Sequence, residues 1–495
     1  MTCNSARIFC LCSPFKCSQL HIVYIRCCVY HRYSLTYLWN NIMEYRKMLL
    51  VASTSLLLAA CSQHTFKIPE AQTQHHQANP SDQIVWAINS GGDAYLSSDG
   101  IQYQADAIKM ASGDASHVVI AKGTILGTQD PNLYLSSRQG EIIAYQQPLA
   151  NGTYSVTLRF AEDQWTQKGK RQFSVWIEGQ QRIPVIDVVN DRDGRNMTSY
   201  DISVPNVELA DGQLNIDFKA ATGNASISAI VVRKPYQVDK DWQLVWQDEF
   251  NQDGRVDETK WNYELWAPKR VNEELQRYTD RSENVRQQGG NLLIEARRDF
   301  FQGDEYSSAR ITSAGKGDLL YGRVEVRAKL PDGLGTWPAI WMMPSDFDAY
   351  AESCEDPTDE QKLCNSWPNS GEIDILEHVG FDEGRIHSTM HNKAFFWKNF
   401  KQRKGALYEP DVTHNFHLYA MEWSPERIDV FIDDTLYFSY INDHQGWQSW
   451  PFDKPFHVIL NIAVGGGWGG IKGVADDIWP KQMLIDYVRL YQKSH

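Results

Sequence analysis

The stretch Gly371-Glu372-Ile373-Asp374-Ile375-Leu376-Glu377-His378 decides the fold class, because its acidic and aliphatic residues alternate like the two faces of a β-strand. Strict alternation would place Glu372 and Asp374 on one face and Glu377 on the other. A single β-bulge between Asp374 and Glu377 would return the second glutamate to the face of the first. Three carboxylates on one face repel one another, so folding alone gives little reason to keep them.

This set of acids suits the cleavage of a sugar bond. Retaining glycoside hydrolysis needs two carboxyl groups about 5–5.5 Å apart, one as the nucleophile and the other as the acid/base. The alternative is a half-buried strand whose outer face happens to be acidic. The sequence on either side of the strand weighs against that alternative, as described below.

Length and charge limit the class of protein. A chain of 495 residues is too long for one compact core and suits two domains with additional segments. The formal net charge of −14 argues against nucleic acid or a polyanionic substrate as the main partner. A neutral polysaccharide fits this charge better.

The N-terminal region is predicted to direct export. Residues 1–42 hold six of the nine cysteines and have no domain-like pattern, whereas residues 43–61 combine a basic start with an apolar run. The end of that run, Leu58-Ala59-Ala60-Cys61, resembles a bacterial lipobox, which implies lipidation of Cys61. The alternative is an ordinary signal peptide with an incidental cysteine.

Translation is then predicted to begin at Met43 or Met48, so that residues 1–42 are not made; a genuine cysteine-rich extension is the rival interpretation. Residues 62–82 read as a flexible tether. The expected product is an exported lipoprotein of the bacterial outer membrane, facing the periplasm or the cell surface. Its only predicted membrane contact is the anchor at Cys61.

Two all-β domains are expected after the tether. Residues 83–234 show many short alternating strands separated by turn residues, which predicts a β-sandwich. A short hinge over 235–241 leads to a second β-sandwich over 241–493, which is predicted to be a jelly roll with one curved sheet. The second domain holds 13 of the 17 tryptophans, the type of residue that grips sugar faces or fills cores.

The first domain contains the stretches Ile88-Asn89-Ser90-Gly91-Gly92, Asn151-Gly152-Thr153-Tyr154 and Leu158-Arg159-Phe160-Ala161-Glu162. These stretches resemble malectin-like carbohydrate-binding domains. The resemblance implies sugar-binding aromatic residues on loops, and the candidates are Tyr95, Tyr134 and Trp165. The stretch 134–138 departs from the pattern of the family, so sugar binding by this domain stays open.

Three further motifs accompany the acidic strand in the second domain, at 335–344, 387–391 and 485–491. Together and in this order, over about Trp242 to Gln492, they closely resemble glycoside hydrolase family 16, and within it the laminarinase-like β-1,3-glucanases. The resemblance implies a concanavalin-like jelly roll. By its motif, Glu372 would be the nucleophile and Glu377 the general acid/base, with Asp374 helping to set their protonation.

The resemblance also implies residues that contact sugar and metal. The predicted substrate-binding residues are Asn272, Arg310, Trp337, Trp341, Trp367 and His391, with Trp266 and Trp468 as weaker candidates at the rim. Trp341 could equally be a core residue. No cofactor is expected for catalysis, but a structural Ca²⁺ could be held by Glu249, Asp486 and the Gly290 carbonyl. Alternatively, these two acids cap strand ends.

Two cysteines remain in the second domain, Cys354 and Cys364, ten positions apart in a polar loop. Export to an oxidising compartment favours a disulfide between them. Two free thiols, or a metal pair without its other ligands, are the alternatives.

The sequence therefore predicts a monomeric, retaining endo-β-1,3-glucanase that acts on laminarin-type β-glucans. The same acids occur in mixed-linkage β-1,3-1,4-glucanases, agarases and carrageenases of the family, so these activities are alternatives. A non-catalytic glucan-binding protein on the cell surface is a further alternative, but such relatives lose the paired acids that this chain keeps. Transglycosylation also stays open.

Overall fold

The structure is a computed structural model that describes residues 83–107, 110–351 and 366–493. All of them belong to one compact unit that spans residues 76–495. The predictions for residues 1–82, including the signal and Cys61, and for the Cys354–Cys364 pair lie outside the described residues. Among the helices of the described ranges, none is long and apolar enough to cross a membrane.

The first sandwich, residues 84–233, contains thirteen strands. The strands are β1 Ile84–Asn89, β2 Tyr95–Leu96, β3 Gln102–Ala105, β4 Ser116–Ile120, β5 Ser136–Gly140, β6 Ile142–Pro148, β7 Gly152–Ala161, β8 Gln172–Ile177, β9 Gln180–Ile186, β10 Ser199–Leu209, β11 Gln213–Thr222, β12 Ala225–Ile227 and β13 Ala229–Arg233. Buried and half-buried side chains alternate along strands such as β8 and β11, whereas β13 is buried along its whole length. A 3₁₀ turn covers Pro131–Tyr134, and the short helix α1 covers Val188–Asp191. The carboxylate of Asp187 caps α1 by accepting a hydrogen bond from the backbone N–H of Asn190.

The second sandwich, residues 242–493, contains seventeen strands. They are β14 Trp242–Asp248, β15 Asn262–Tyr263, β16 Gln276–Tyr278, β17 Val285–Gln288, β18 Asn291–Ala296, β19 Tyr306–Ser308, β20 Arg310–Thr312, β21 Gly322–Lys329, β22 Thr336–Pro344, β23 Glu372–His378, β24 Arg385–His391, β25 Arg403–Tyr408, β26 His417–Trp423, β27 Arg427–Ile432, β28 Thr435–Ile441, β29 Phe456–Val464 and β30 Lys481–Lys493. The helix α2, Ser366–Asn369, and 3₁₀ turns at Phe301–Gly303 and Trp397–Asn399 lie between strands.

Each sandwich packs two main sheets around its own core. In the first, the strands β10-β7-β13-β1-β3-β2 face the sheet β6-β11-β8-β9, with a small sheet β12-β5-β4 beside them. In the second, β15-β20-β29-β22-β23-β24-β25 face β17-β18-β30-β21-β26-β27-β28, and β14 pairs with β30. Aliphatic side chains such as Ile340, Ile373 and Leu460 fill the space between the second pair of sheets. The predicted all-β class with two sandwiches, the second a jelly roll, is confirmed.

The two sandwiches share a sheet. Strand β10 pairs in parallel with β25, with Ile202 opposite Ala406, so the front sheets join into one sheet of thirteen strands. The segment between the sandwiches is also fixed, contrary to the predicted hinge. Tyr236 is buried, its ring lies 4.5 Å from that of Phe431, and its hydroxyl donates a 2.8 Å hydrogen bond to Glu422.

Candidate active site

Strand β23 carries the predicted bulge and presents its three acids on one face. Glu372 lies opposite His391 on β24, Asp374 lies opposite Thr389, and the register then shifts so that Glu377 lies opposite His387. Directly opposed residues of an antiparallel pair point to the same side of the sheet. The bulge between Asp374 and Glu377 therefore returns Glu377 to the face of the other two acids, as the sequence predicted.

Glu372 and Glu377 are both half-buried, whereas Asp374 is buried. The Glu372 side chain is 17% exposed, and its Oε2 accepts a 2.8 Å hydrogen bond from the indole Nε1 of Trp367. The His391 Nε2 atom lies 3.9 Å from its other oxygen. Glu372 is thus held between the indole of Trp367 and the imidazole of His391.

Asp374 and Glu377 are held in surroundings that favour their protonated forms. Burial, followed by the charges of Glu372 and Glu377, raises the pKa of Asp374 well above its usual value. Burial and the charge of Glu372 raise the pKa of Glu377 to about 7, against the hydrogen bond from Trp337 Nε1 to its Oε1 at 3.2 Å. Asp374 is therefore held protonated at neutral pH, and Glu377 exchanges its proton near neutral pH.

His391 is buried between the acids and a tryptophan. Its Nε2 atom is 3.4 Å from Oδ2 of Asp374, and its ring centre is 5.9 Å from that of Trp367. Burial lowers the pKa of His391, although the charge of Glu372 opposes the shift. A neutral imidazole can donate one hydrogen bond to the acids without adding a positive charge.

A second group of predicted residues lies on the strands on the other side of β23. Arg310 on β20 lies opposite Asn461 on β29, and Asn461 in turn lies opposite Ala339 on β22, which pairs with Glu377. The guanidinium of Arg310 stacks on the rings of Trp266, at 4.2 Å, and Trp341, at 4.5 Å. It also forms an ion pair with Glu264.

Trp341 is half-buried, and its indole Nε1 donates a 2.7 Å hydrogen bond to Asn461 Oδ1. Trp337 is also half-buried, and its ring lies edge-on to that of Trp468, 5.6 Å away. The rings of Trp337, Trp341, Trp367 and Trp468 therefore surround the acids with apolar surface and leave part of each side chain accessible. This is the lining expected of a sugar-binding cleft.

Comparison with known proteins identifies the family. Residues 272–489 match the family described as Glycosyl hydrolases family 16, and residues 84–235 match the Malectin domain. A beta-glucanase of Rhodothermus marinus is 47% identical over 257 residues, which are 51% of this chain and 85% of that relative. The chain belongs to glycoside hydrolase family 16. This member of family 16 is accordingly a glycoside hydrolase, and its first sandwich is a malectin domain.

Two further comparisons concern the same half of this family 16 hydrolase. A keratan-sulfate endo-1,4-beta-galactosidase of Sphingobacterium multivorum is 38% identical over 257 residues, covering 51% of this chain and 56% of that relative. The solved structure of a laminarinase from Rhodothermus marinus is 45% identical, covers 53% of this chain and 100% of its own, and has a TM-score of 0.48.

Asn272 differs from the other predicted substrate-binding residues of the family 16 hydrolase. It is exposed, has a positive φ of 52°, and donates a 3.3 Å hydrogen bond to Glu274. Its backbone carbonyl accepts a 2.7 Å bond from the N–H of Gly467, next to Trp468. The loop that carries Asn272 is thus tied to the loop that carries a tryptophan of the cleft.

The residues predicted to hold calcium do not fit the ion. Arg489 donates two 2.8 Å hydrogen bonds to the two oxygens of Glu249, and Arg327 is paired with Asp486. Carboxylates that already neutralise guanidinium groups are poor partners for an additional cation.

Of the three aromatic candidates in the first sandwich, Trp165 is exposed, at 40%. Tyr134 is buried in a core, and its hydroxyl donates a 2.7 Å hydrogen bond to Asp201. Tyr95 is half-buried and donates to Asp130. The two tyrosines thus contribute to packing and internal hydrogen bonds.

The sequence identified most residues of the site, but it missed some of their contacts and one residue, Lys404. Trp337 and Trp367 were predicted to stack on sugar, but each also donates a hydrogen bond to one of the two glutamates. His387 shares the face of His391 because the two lie four positions apart on β24, which the motif at 387–391 already indicated. Lys404 on β25 shares this face as well, and it could not be identified without the register of β24 and β25.

Proposed function

We propose that this protein hydrolyses β-1,3-glucosidic bonds within laminarin-type β-glucans and retains the anomeric configuration. The observation that carries the proposal is the pair of glutamates that the bulge places on one face of β23, each with an indole N–H on one of its oxygens. Burial and the charge of Glu372 raise the pKa of Glu377 to about 7. A general acid must be protonated to donate to the leaving oxygen, and the raised pKa keeps a large share of Glu377 protonated at neutral pH.

The reaction has two steps. A carboxylate oxygen of Glu372 attacks the anomeric carbon, while the proton of Glu377 passes to the glycosidic oxygen and the carbon–oxygen bond to the leaving sugar breaks. A glycosyl ester on Glu372 results. Glu377, now ionised, takes a proton from a water whose oxygen attacks the anomeric carbon, so the ester breaks and both glutamates return to their starting states.

Asp374 supports both steps from its position between the glutamates. Its raised pKa keeps its carboxyl protonated, so it donates a hydrogen bond to Glu372 and adds no third negative charge. When Glu372 becomes an ester and loses its charge, the repulsion that raises the pKa of Glu377 falls. Glu377 is then ionised more readily, which suits its role as the base in the second step.

The β-glucan assignment is supported by the laminarinase-like motifs and by the beta-glucanase of Rhodothermus marinus among the relatives. A galactan substrate is the second candidate, because another relative is a keratan-sulfate endo-1,4-beta-galactosidase. Against it, keratan sulfate is polyanionic and the chain carries a net charge of −14.

The first test is the product profile of the purified protein on laminarin, lichenan, agarose, κ-carrageenan and keratan sulfate. Release of β-1,3-gluco-oligosaccharides from laminarin is expected, with the β-anomer appearing first in a time-resolved NMR spectrum. Glu372→Gln should reduce kcat by about 10³-fold or more. If the α-anomer appeared first, double displacement would be ruled out. If only a galactan were cleaved, the substrate would be a galactan and not a β-glucan. If laminarin were bound but not cleaved, the result would favour a glucan-binding protein.

The role of Glu377 has a separate test. Glu377→Gln cannot donate a proton, so it should lose activity on laminarin but keep much of its first-step rate on an aryl β-glucoside whose leaving group needs no proton. Equal losses on both substrates would contradict the role of Glu377 as the general acid.

We further propose that the chain is exported and anchored in the outer membrane through a lipid on Cys61, because the sequence before Cys61 resembles a lipobox. Mass spectrometry of the mature protein should find a diacylglyceryl modification on an N-terminal Cys61. Cys61→Ser should leave the protein unmodified and soluble after cell fractionation. An unmodified mature N-terminus at another residue would contradict the proposal.

A further inference from the structure

The face of the sheet that carries the acids continues onto β25. Thr389 on β24 lies opposite Lys404, and His387 lies opposite Ala406, so Lys404 and Ala406 share the catalytic face. Ala406 pairs with Ile202 of β10, and both belong to the core of the first sandwich. The first sandwich therefore covers this face from β25 outward and bounds the cleft at that end.

A short segment of the first sandwich, residues 187–197, forms this boundary. The Asp191 carboxylate pairs with Arg385 on β24 at 2.9 Å. The guanidinium of Arg192 donates a 2.9 Å hydrogen bond to the carbonyl of Gln402, immediately before β25. Arg195 stacks on the ring of Phe400, with its guanidinium carbon 3.1 Å from the ring centre. The segment is thus held against the cleft by three separate contacts.

Lys404 is a positive charge at this boundary without a fixed partner. Its ammonium makes no hydrogen bond or ion pair with any residue that the structure describes, although it is half-buried. Burial lowers the pKa of Lys404, against the charges of Asp193, Asp191 and Glu377. A partly desolvated cation gains from a hydrogen-bond acceptor, so Lys404 is free to bind a ligand oxygen.

Exposed aromatic side chains lie on the loop that connects β24 to β25, a few residues before Lys404. Trp397 is 50% exposed and Phe400 is 46% exposed, which is unusual for rings of this size in a folded domain. Phe396 of the same loop packs edge-on against Trp367, 5.8 Å between ring centres, and Trp367 binds Glu372. The ammonium of Lys398 lies 5.7 Å from the ring centre of Trp367 and 5.2 Å from that of Trp397, so the exposed Trp397 ring is connected to the cleft through Lys398.

We propose that Lys404, the Trp397–Phe400 loop and residues 187–197 of the first sandwich form a distal sugar subsite of the catalytic cleft. Its ligand is a glucosyl unit of the same β-glucan chain, separated by about two units from the bond that is cleaved, because β25 lies two strands, about 10 Å, from β23. The ring face of the sugar stacks on the exposed aromatic residues, and its hydroxyl oxygens accept from Lys404. This inference rests on the proposed function, and it makes the first sandwich part of the active site.

The test compares Lys404→Met and Trp397→Ala with Lys401→Met, a control that removes an exposed lysine of the same segment. Steady-state kinetics are measured on β-1,3-gluco-oligosaccharides of three to eight units, with cleavage positions located by ¹⁸O-water labelling. For the longest substrates the two test variants should lose about 5- to 20-fold in kcat/KM, mainly through KM. The trisaccharide should change less than about twofold, because it is too short to reach the subsite.

Each alternative result has a distinct meaning. Equal losses at every length would assign Lys404 and Trp397 to the reacting bond or to folding, and would overturn the subsite. No loss relative to Lys401→Met would overturn it as well. If the wild-type protein cleaved no β-1,3-gluco-oligosaccharide, both the proposed function and the subsite would be contradicted. If the wild type cleaved them and the test variants had the same kcat/KM, only the subsite would be contradicted.

Discussion

The indole Nε1 of Trp337 donates a 3.2 Å hydrogen bond to Oε1 of Glu377. This bond stabilises the ionised form of Glu377, and so it lowers a pKa that burial and Glu372 raise to about 7. Trp337 thereby sets how readily Glu377 alternates between acid and base, the change that a double displacement requires.

Trp337→Phe keeps an aromatic ring and removes the hydrogen bond. The pKa of Glu377 should rise further, so the general acid stays protonated to a higher pH and the basic limb of the kcat/KM profile moves upward by about 0.5–1 pH unit. Trp341→Phe is the matched control, because the Trp341 indole binds Asn461 and no carboxylate. A basic limb that moved equally in both variants would contradict this role of Trp337.

The raised pKa of Glu377 also predicts how stability depends on pH. The folded protein holds this proton up to about pH 7, whereas the unfolded chain releases it near its usual value of 4.5. The stabilisation is therefore complete below pH 4.5 and is lost as the pH rises to 7. Glu377→Gln stays neutral, so its free energy of unfolding at pH 8 should exceed that of wild type by about 1–3 kcal/mol.

Urea denaturation at pH 4.5 and pH 8 checks this expectation. The difference between Glu377→Gln and wild type should be large at pH 8 and near zero at pH 4.5. Glu258→Gln, which changes an exposed glutamate, should show the same stability as wild type at both values. A stabilisation by Glu377→Gln that did not vary with pH would have to come from packing instead.

Asp374 allows a comparison of two substitutions at one buried site. Since its carboxyl is held protonated, Asp374→Asn keeps a neutral group that can still donate toward Glu372, whereas Asp374→Ala removes the donor and leaves a cavity. The asparagine variant should lose about tenfold in kcat and the alanine variant about 10²- to 10³-fold. Equal kcat values for the two variants would show that hydrogen bonding from position 374 is unimportant.

The features that could be predicted from the sequence are those that depend on neighbouring residues in the chain. The bulge in β23 was predictable because alternation alone separates Glu377 from Glu372, and one extra residue reunites them. Lys404 was not predictable, because its place on the catalytic face depends on which residue of β24 it pairs with. The hinge prediction was wrong for Tyr236 because Glu422, which fixes its hydroxyl, lies 186 positions further along the chain. Contacts of that range leave no signal in a local pattern.

The buried ion pair between Asp191 and Arg385 joins the two sandwiches, so we expect the stability of the protein to depend on it. Their side chains are 7% and 3% exposed, and Arg385 also binds Asp382 and the Tyr200 hydroxyl. Asp191→Asn removes the charge and leaves a buried guanidinium with less compensation. The free energy of unfolding should fall by about 2–4 kcal/mol, in contrast to Glu258→Gln, which breaks only an exposed pair with Arg255.

Chemical denaturation followed by tryptophan fluorescence measures this loss, and activity on long and short β-1,3-gluco-oligosaccharides measures its consequence. Because residues 187–197 bound the cleft, Asp191→Asn should weaken binding of the long substrates more than of the trisaccharide. Loss of stability without any dependence on substrate length would mean that the ion pair only holds the sandwiches together. Stability equal to that of Glu258→Gln would mean that the shared sheet of β10 and β25 suffices to join them.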